Sequence, residues 1–161
     1  MSRVFAFFCA VAVLLIFDTS VRAEAIAPRD GWRVIETTHT FSALVDRLKI
    51  AIKAEKMGLV TQASASVGAK AQGIVIPGNR VLGVYRNDYA RRMLNASLAA
   101  GIEAPIRFYV TENKDGTATL SWKTPVAVFS SYLDEGGDDL RKLARELDGV
   151  FEAIAKRAVS G

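Results

Sequence analysis

Cysteine and histidine are almost missing from this chain. Among its 161 residues there is one cysteine, Cys9, and one histidine, His39. Cys9 lies inside an N-terminal apolar run, so the rest of the chain has no disulfide, no thiol nucleophile and no thiolate metal ligand. A single imidazole does not make a zinc or copper site by itself. We therefore predict neither a metal ion nor a cofactor, and we expect His39 to be a loop residue without a chemical role.

Long runs of like charge and the usual catalytic motifs are also missing. The formal net charge is +4 and no block of five or six like charges occurs, which argues against nucleic acid or an anionic membrane as a partner. There is no glycine-rich nucleotide motif, and no serine stands in a G-x-S-x-G context. The densest acidic group does not have the spacing of a calcium loop and is better explained by a polar linker and helix capping: Asp134, Glu135, Asp138 and Asp139.

The N-terminus has the pattern of a secretory signal peptide. Arg3 precedes an apolar run from Val4 to Phe17, and small residues end at Ala23. The run is shorter than the roughly 20 residues of a membrane-spanning helix. We predict a signal peptide over residues 1–23 with cleavage after Ala23, or alternatively after Ala25. The mature protein is then expected to be soluble, periplasmic or secreted, and free of the membrane.

The remaining chain is long enough for one domain. Residues 24–31 resemble a flexible lead-in, and residues 32–161 show the pattern β-α-β-(α)-β-α-β-β-α-α. The segment Trp32–Thr38 favours a strand, and Thr40 is suited to cap a helix whose apolar positions recur at helical spacing. Asn113–Gly116 is typical of a hairpin turn. We predict an α+β fold, with helices on one face of a small, mainly antiparallel sheet.

The second half contains a central strand and two further helices. The nearly continuous apolar run Arg80–Arg86 predicts a buried strand, in which Gly83 suggests close approach of another backbone or a ligand. Asp88 is a natural N-cap for a helix that ends near Gly101. Residues 134–139 read as a polar break before a last helix over about residues 138–159. Strand aromatics are more often core than pocket, which applies to Trp32, Tyr85, Tyr109 and Trp122.

Four segments of residues 38–123 resemble the domain of unknown function 302 family: FSALVDRLKIAIKAEKMGL, AKAQGIVIPGNRVLGVYRN, IEAPIRFYV and DGTATLSW. Asn87 matches the Asn of the family's Gly-Asn-Pro motif, Pro105 matches its Leu-Pro strand entry, and Asp115-Gly116 matches its hairpin. Ala65 and Ser66 stand where many relatives have a histidine. The resemblance implies a compact α+β domain that forms a dimer, and it implies no established activity.

The best candidate site lies where the central strand meets the next helix. A helix N-terminus offers free backbone N–H groups to an anion, and Arg86 could reinforce this. The alternative is that Asp88 occupies that N-terminus as a cap and the neighbouring arginines form a solvated face. We name the candidate ligand-binding residues, with no catalytic residue among them: Gly83, Tyr85, Arg86, Asn87 and Pro105.

Three functions follow as hypotheses. The first is an exported domain that binds a small ligand or a protein partner without catalysis. The second is a structural or assembly role as a homodimer, in which the apolar stripe of the last helix packs against a second copy. The third is an enzyme that uses Asn87, Arg86 and Tyr85, for which the sequence offers no convincing acid–base pair. We rank the binding domain first and the enzyme last.

Overall fold

A computed structural model describes residues 26–160 of the chain. The predicted signal peptide and its cleavage site lie outside the described residues. Within the described range, no helix is both long and apolar enough to cross a membrane. The predicted order of elements is confirmed, and the strands are β1 (Trp32–Thr40), β2 (Gly58–Ala63), β3 (Asn79–Tyr85), β4 (Ile106–Glu112) and β5 (Thr117–Lys123). The helices are α1 (Phe41–Ala54), α2 (Ala65–Ala71), α3 (Asn87–Ala96), α4 (Pro125–Phe129) and α5 (Leu133–Val159), with short 3-10 turns at Ala99–Glu103 and Ser130–Tyr132.

The five strands form one open sheet in the order β1-β5-β4-β3-β2, and every neighbouring pair is antiparallel. Because successive strand residues point to opposite faces, β4 divides its side chains between two environments. Ile106, Phe108 and Val110 are buried under the helices, whereas Arg107 and Tyr109 lie on the other face. We call this other face the uncovered face. The α+β prediction with helices on one side of the sheet is therefore confirmed.

The core lies between the sheet and α5. The ring of Phe108 stacks on that of Phe151 at a centroid distance of 4.7 Å and tilts against Trp122 at 5.4 Å. The apolar stripe of α5 contributes further fully buried side chains, among them Leu140 and Ile154. This stripe belongs to the domain's own core. The hypothesis that it packs against a second copy is therefore wrong, because its side chains are already covered.

Helix α1 forms as the sequence predicts. The Thr40 hydroxyl accepts a hydrogen bond from the Ala43 amide at 3.4 Å, which satisfies a free N–H of the first turn. Leu44 and Leu48 then fall on the buried face. The helix ends at Ala54, and Lys56 turns the chain with a φ of 58° before β2 begins at Gly58.

Two helix boundaries differ from the predictions. Helix α3 begins after Arg86 rather than at an Asp88 cap, and it ends at Ala96 instead of near Gly101. Residues 133–136 are helical rather than a polar break, and α5 continues beyond a kink at Gly137, where φ is 52° and ψ is −142°. Asp88 does not cap α3 because its carboxylate binds the Arg86 side chain. The kink in α5 falls at Gly137 because only glycine readily takes that backbone geometry.

Candidate functional site

Two of the predicted site residues, Gly83 and Pro105, contact each other. The Ala104–Pro105 peptide bond is cis, and it introduces β4 beside β3. A Cβ atom at Gly83 would lie 2.8 Å from Cγ of Pro105 and would also collide with the Thr61 hydroxyl. The close approach that the sequence indicated at Gly83 is therefore made by these two side chains. Gly83 is needed here because β2, β3 and the proline ring converge on it.

The other predicted residues lie where β3 ends and α3 begins. Arg86 donates to Asp88 from Nε at 2.7 Å and from Nη2 at 3.1 Å, and its guanidinium lies 4.1 Å from the centroid of the Tyr89 ring. The hydrogen bond from Arg86 holds the pKa of Asp88 below its ordinary value, and the same bond raises the pKa of Arg86. Asn87 is exposed as the first residue of α3.

The space beside these residues is small. The cavity lined by Tyr85, Arg86 and Tyr89 has a volume of about 30 Å³. That is the share of one water molecule in the liquid. Arg86 is already bound to Asp88, and the exposed Asn87 does not line this cavity. The crevice therefore has no enclosed volume for an organic ligand.

A much larger cavity of about 560 Å³ lies on the uncovered face. Every strand contributes to its lining, together with α4 and the residues that lead into α2. Three of the lining residues belong to one row of paired residues across the sheet, in which Tyr109 pairs with Val81 and Val81 pairs with Ala63 on β2. Ser121 and Val34 continue this row on β5 and β1, outside the lining. The pleat thus places side chains from sequence positions far apart on a single surface.

Cations and aromatic rings occupy the neighbouring row. Trp32 pairs with Lys123, and Arg107 pairs with Gly83. Nζ of Lys123 lies 5.9 Å from the centroid of the Trp32 ring, and Cζ of Arg29 lies 5.1 Å from it. Both distances are within the range of cation–π attraction. Within residues 26–160, neither Lys123 nor Arg107 forms a salt bridge.

Glu103 is the carboxylate in the cavity lining, and it already has a hydrogen-bond donor. The Tyr132 hydroxyl donates to Oε1 of Glu103 at 2.8 Å, and this bond raises the pKa of Tyr132. Among the described residues, the cavity lining therefore includes two basic groups that form no salt bridge, Lys123 and Arg107, and one carboxylate that is already bound. The local charge is positive.

A network around Asn79 holds the wall formed by the start of α2. Oδ1 of Asn79 accepts from the Ala65 amide at 2.8 Å, while its backbone N–H donates to the Ser66 hydroxyl at 3.3 Å. Ser64 caps α2 by accepting from the Val67 amide at 3.3 Å. No side chain of α2 is buried. Polar bonds to β3 therefore position this wall, with little help from packing.

His39 and the acidic residues lie outside this cavity. Nε2 of His39 is 3.2 Å from the Val159 carbonyl oxygen. Glu135 accepts from the Ser97 hydroxyl at 2.5 Å, and Asp138 binds Arg141 at 2.6 Å. In the part of the chain that the structure describes, no three His, Cys, Asp or Glu side chains are grouped so that they could hold a metal ion.

Sequence reasoning missed most of the cavity. It treated Trp32 and Tyr109 as core aromatics, whereas both line the cavity and are only half-buried. Trp122 packs in the core against Phe108 as expected, and it also contributes to the cavity lining. One available signal was the alternation in β4, where Arg107 and Tyr109 stand opposite a fully apolar set. The pairing of β1 with β5, which brings Trp32 to the same face, has no local signature.

The fold and this site define a small α+β domain with one sheet face under helices and the other open. Comparison with known proteins gives the family. The chain belongs to the family described as domain of unknown function DUF302, whose sequence model matches residues 34–154. The predicted resemblance is confirmed.

A solved structure supports the same fold. The crystal structure of an uncharacterized conserved protein DUF302 from Bacillus stearothermophilus is similar to this chain with a TM-score of 0.71 at 20% identity. The similarity covers 81% of this chain and 99% of that one. No curated protein matched the chain in the comparison.

Proposed function

We propose that this protein is an exported binding domain that holds a small ligand in the cavity on the uncovered face, without chemical turnover. The observation that carries the proposal is the cavity itself. Its volume of about 560 Å³ is within the usual range of about 300–1,000 Å³ for small-molecule sites. Three aromatic side chains and a few polar groups in a largely apolar lining are also typical of such sites. Export rests on the signal-peptide pattern of residues 1–23.

The sequence-predicted residues have a defined place in this proposal. Gly83 lies on the uncovered face opposite the lining residue Arg107, and Pro105 directly precedes the lining residue Ile106. Tyr85, Arg86 and Asn87 would contribute a second contact region at the end of β3. His39 does not line the cavity, and its Nε2 lies 3.2 Å from the Val159 carbonyl oxygen.

Native mass spectrometry of protein purified from its exported fraction tests the proposal. We expect a mass that begins after Ala23 and an additional mass that is lost on gentle activation. Ala63→Tyr, which places a ring into the cavity from the edge strand β2, should abolish that additional mass. Gln62→Tyr is the matched control, because Gln62 is exposed on the same strand and its side chain points to the opposite face.

Two results would contradict the proposal that the cavity is the ligand-binding site. The wild-type protein could carry no additional mass and bind none of a broad small-molecule set. Alternatively, Asn87→Ala could remove the ligand while Ala63→Tyr retained it, which would move the site to the end of β3. A mass that still includes residues 1–23 in the exported fraction would contradict cleavage.

A homodimer is a second candidate, and the edge strand β2 favours it. Within the described residues β2 pairs only with β3, and Val60 on it is 52% exposed. The strand carries no lysine, arginine or proline of the kind that discourages edge-to-edge pairing. Light scattering should then show a dimer that Val60→Lys dissociates. A wild-type monomer at high concentration would rule this out.

The enzyme hypothesis has less support. It relies on Tyr85, Arg86 and Asn87, where the adjacent space is about 30 Å³ and Arg86 is bound to Asp88. The enzyme hypothesis would regain support if the wild-type protein turned over a substrate and Arg86→Ala abolished that turnover.

A further inference from the structure

The charges around the large cavity indicate which small molecules it accepts. We infer that its ligand is an anion with a flat apolar body, such as an aromatic carboxylate. The ring lies against Trp32 and Tyr109, and the anionic group meets Lys123 and Arg107. This inference rests on the proposed function, because it specifies the ligand of the same cavity.

The basic groups provide the first argument. Lys123 and Arg107 line the cavity and form no salt bridge within residues 26–160, and Arg29 adds a third cation at the Trp32 ring. The lining carboxylate, Glu103, already accepts from Tyr132. Another carboxylate on the uncovered face, Glu36, pairs with Thr119 outside the lining and is exposed to water. An incoming anion would therefore meet two basic groups that form no salt bridge with another described residue.

Register explains why two cations stand together. Phe108 of β4 pairs with Trp122 of β5 in antiparallel register. The residue before Phe108, Arg107, therefore lies opposite the residue after Trp122, Lys123, on the uncovered face. Lys123 also pairs with Trp32 of β1. Like charges directly opposite each other are destabilising in a sheet. An anion bound between them relieves that repulsion and gains charge-assisted hydrogen bonds.

The aromatic and aliphatic lining provides the second argument. Trp32 pairs with Lys123 on β5, and Tyr109 pairs with Ser121, two residues earlier on the same strand. The side chains of Trp32 and Tyr109 therefore lie on the same face of the sheet. Val81 and Ala63 continue this surface to β2 without a charge. Between Tyr109 and Val34, the Ser121 hydroxyl donates to the Tyr109 carbonyl oxygen at 3.5 Å. A flat apolar body therefore finds a largely apolar surface next to the two rings.

Isothermal titration with three matched probes tests this ligand class: 2-naphthylacetate, its neutral amide 2-naphthylacetamide, and the cation 2-(2-naphthyl)ethylammonium. We expect the carboxylate to bind about tenfold more tightly than the amide, as a hydrogen bond to a charged group predicts, and the cation to bind least. Lys123→Gln should lower the affinity for the carboxylate about tenfold while leaving that for the amide nearly unchanged.

Lys114→Gln is the matched control, because Lys114 is exposed in the β4–β5 turn and does not line the cavity. It removes the same net charge, so an equal loss of carboxylate binding in this variant would overturn the specific contact. Equal affinity of Ala63→Tyr and wild type for the carboxylate would likewise overturn it, since binding would then lie elsewhere.

The outcomes separate this inference from the proposed function. If amide and carboxylate bind equally and Ala63→Tyr abolishes both, the anion class is wrong and the binding function stands. If no probe binds to folded protein but a co-purified mass disappears in Ala63→Tyr, the class is again wrong and the function stands. If no probe binds and no mass co-purifies, both fail.

Discussion

The two faces of the sheet use the same strands for different purposes. On the helix side, β4 and β5 present Phe108, Val110 and Leu120, each with no exposed surface. On the uncovered face, the alternate residues Tyr109, Arg107 and Lys123 remain partly or fully accessible. A single-residue shift of register would exchange these sets, so the need to bury the core also fixes what the cavity displays. Most side chains that form the core and most that are displayed in the cavity therefore alternate along a shared backbone, with Ile106 and Trp122 contributing to both. We expect substitutions to separate the stability of the core from the proposed binding.

The largest difference between the faces should appear with Phe151→Ala. This change removes the ring that stacks on Phe108 in the core, and we expect a loss of about 3–5 kcal/mol in the free energy of unfolding. Tyr109→Ala on the uncovered face should cost about 1 kcal/mol. Urea denaturation of both variants measures the difference. Equal losses would mean that the uncovered face carries as much of the stability as the core.

A smaller effect is expected at the boundary between β3 and the proline ring. In Gly83→Ala the new methyl group would collide with Pro105 and Thr61, so we expect a loss of about 1–3 kcal/mol. Gly149→Ala is the matched control, because nothing lies within 4 Å of a Cβ there. Since Gly149 is inside α5, that variant should gain about 0.5–1 kcal/mol. A tolerated Gly83→Ala would show that β2 or Pro105 can move aside.

The wall at α2 should respond locally rather than globally. Asn79→Ala removes the acceptor of the Ala65 amide, which we expect to cost about 1 kcal/mol. Because α2 buries no side chain, this loss should appear as faster hydrogen exchange in residues 65–71, with the exchange of α1 and α5 unchanged. Faster exchange throughout the sheet would contradict this separation.

The smallest effect concerns Asp88 at the end of β3. Its folded-state pKa is lowered by Arg86, so the stability that this pair contributes is present above the ordinary Asp pKa of about 3.9 and is lost as the pH falls through the lowered value. Both side chains are substantially exposed, and the contribution is about 1 kcal/mol or less. Arg86→Gln should raise the pKa of Asp88 in an NMR titration. An unchanged pKa would contradict the pairing.

Local chemistry predicted much of the fold. The Asp115-Gly116 hairpin forms with a φ of 82° at the glycine, and Thr40 and Pro125 begin helices where turn and capping rules place them. Those signals depend on a few neighbouring residues, which the sequence displays directly. The order of all ten main elements follows from them.

The sequence predictions were wrong where a distant residue, or a competing hydrogen-bond partner, determines the position of a side chain. Asp88 has the chemistry of a cap, but the Arg86 guanidinium two residues earlier takes both its oxygens. The helix predicted to end near Gly101 would include Leu98, yet α3 has already ended at Ala96 and Leu98 is 80% exposed. From sequence alone, Trp32 is predicted to be a core aromatic. Its pairing with Lys123 of β5 instead places it on the uncovered face, where it lines the cavity. The cavity depends on such long-range pairings, so it could not be predicted from local pattern.

The pairing of β1 with β5 also constrains how the protein can assemble. Trp32 and Lys123 meet with most of the domain's sequence between them, and closing so long a loop is slow relative to forming a helix or hairpin. The β4–β5 hairpin can form early, whereas β1 can join the sheet only after β5 exists. A chain shortened before Thr117 would have no partner for its first strand and would lack the Trp32 side of the cavity. We therefore expect the cavity on the uncovered face to be completed late in folding.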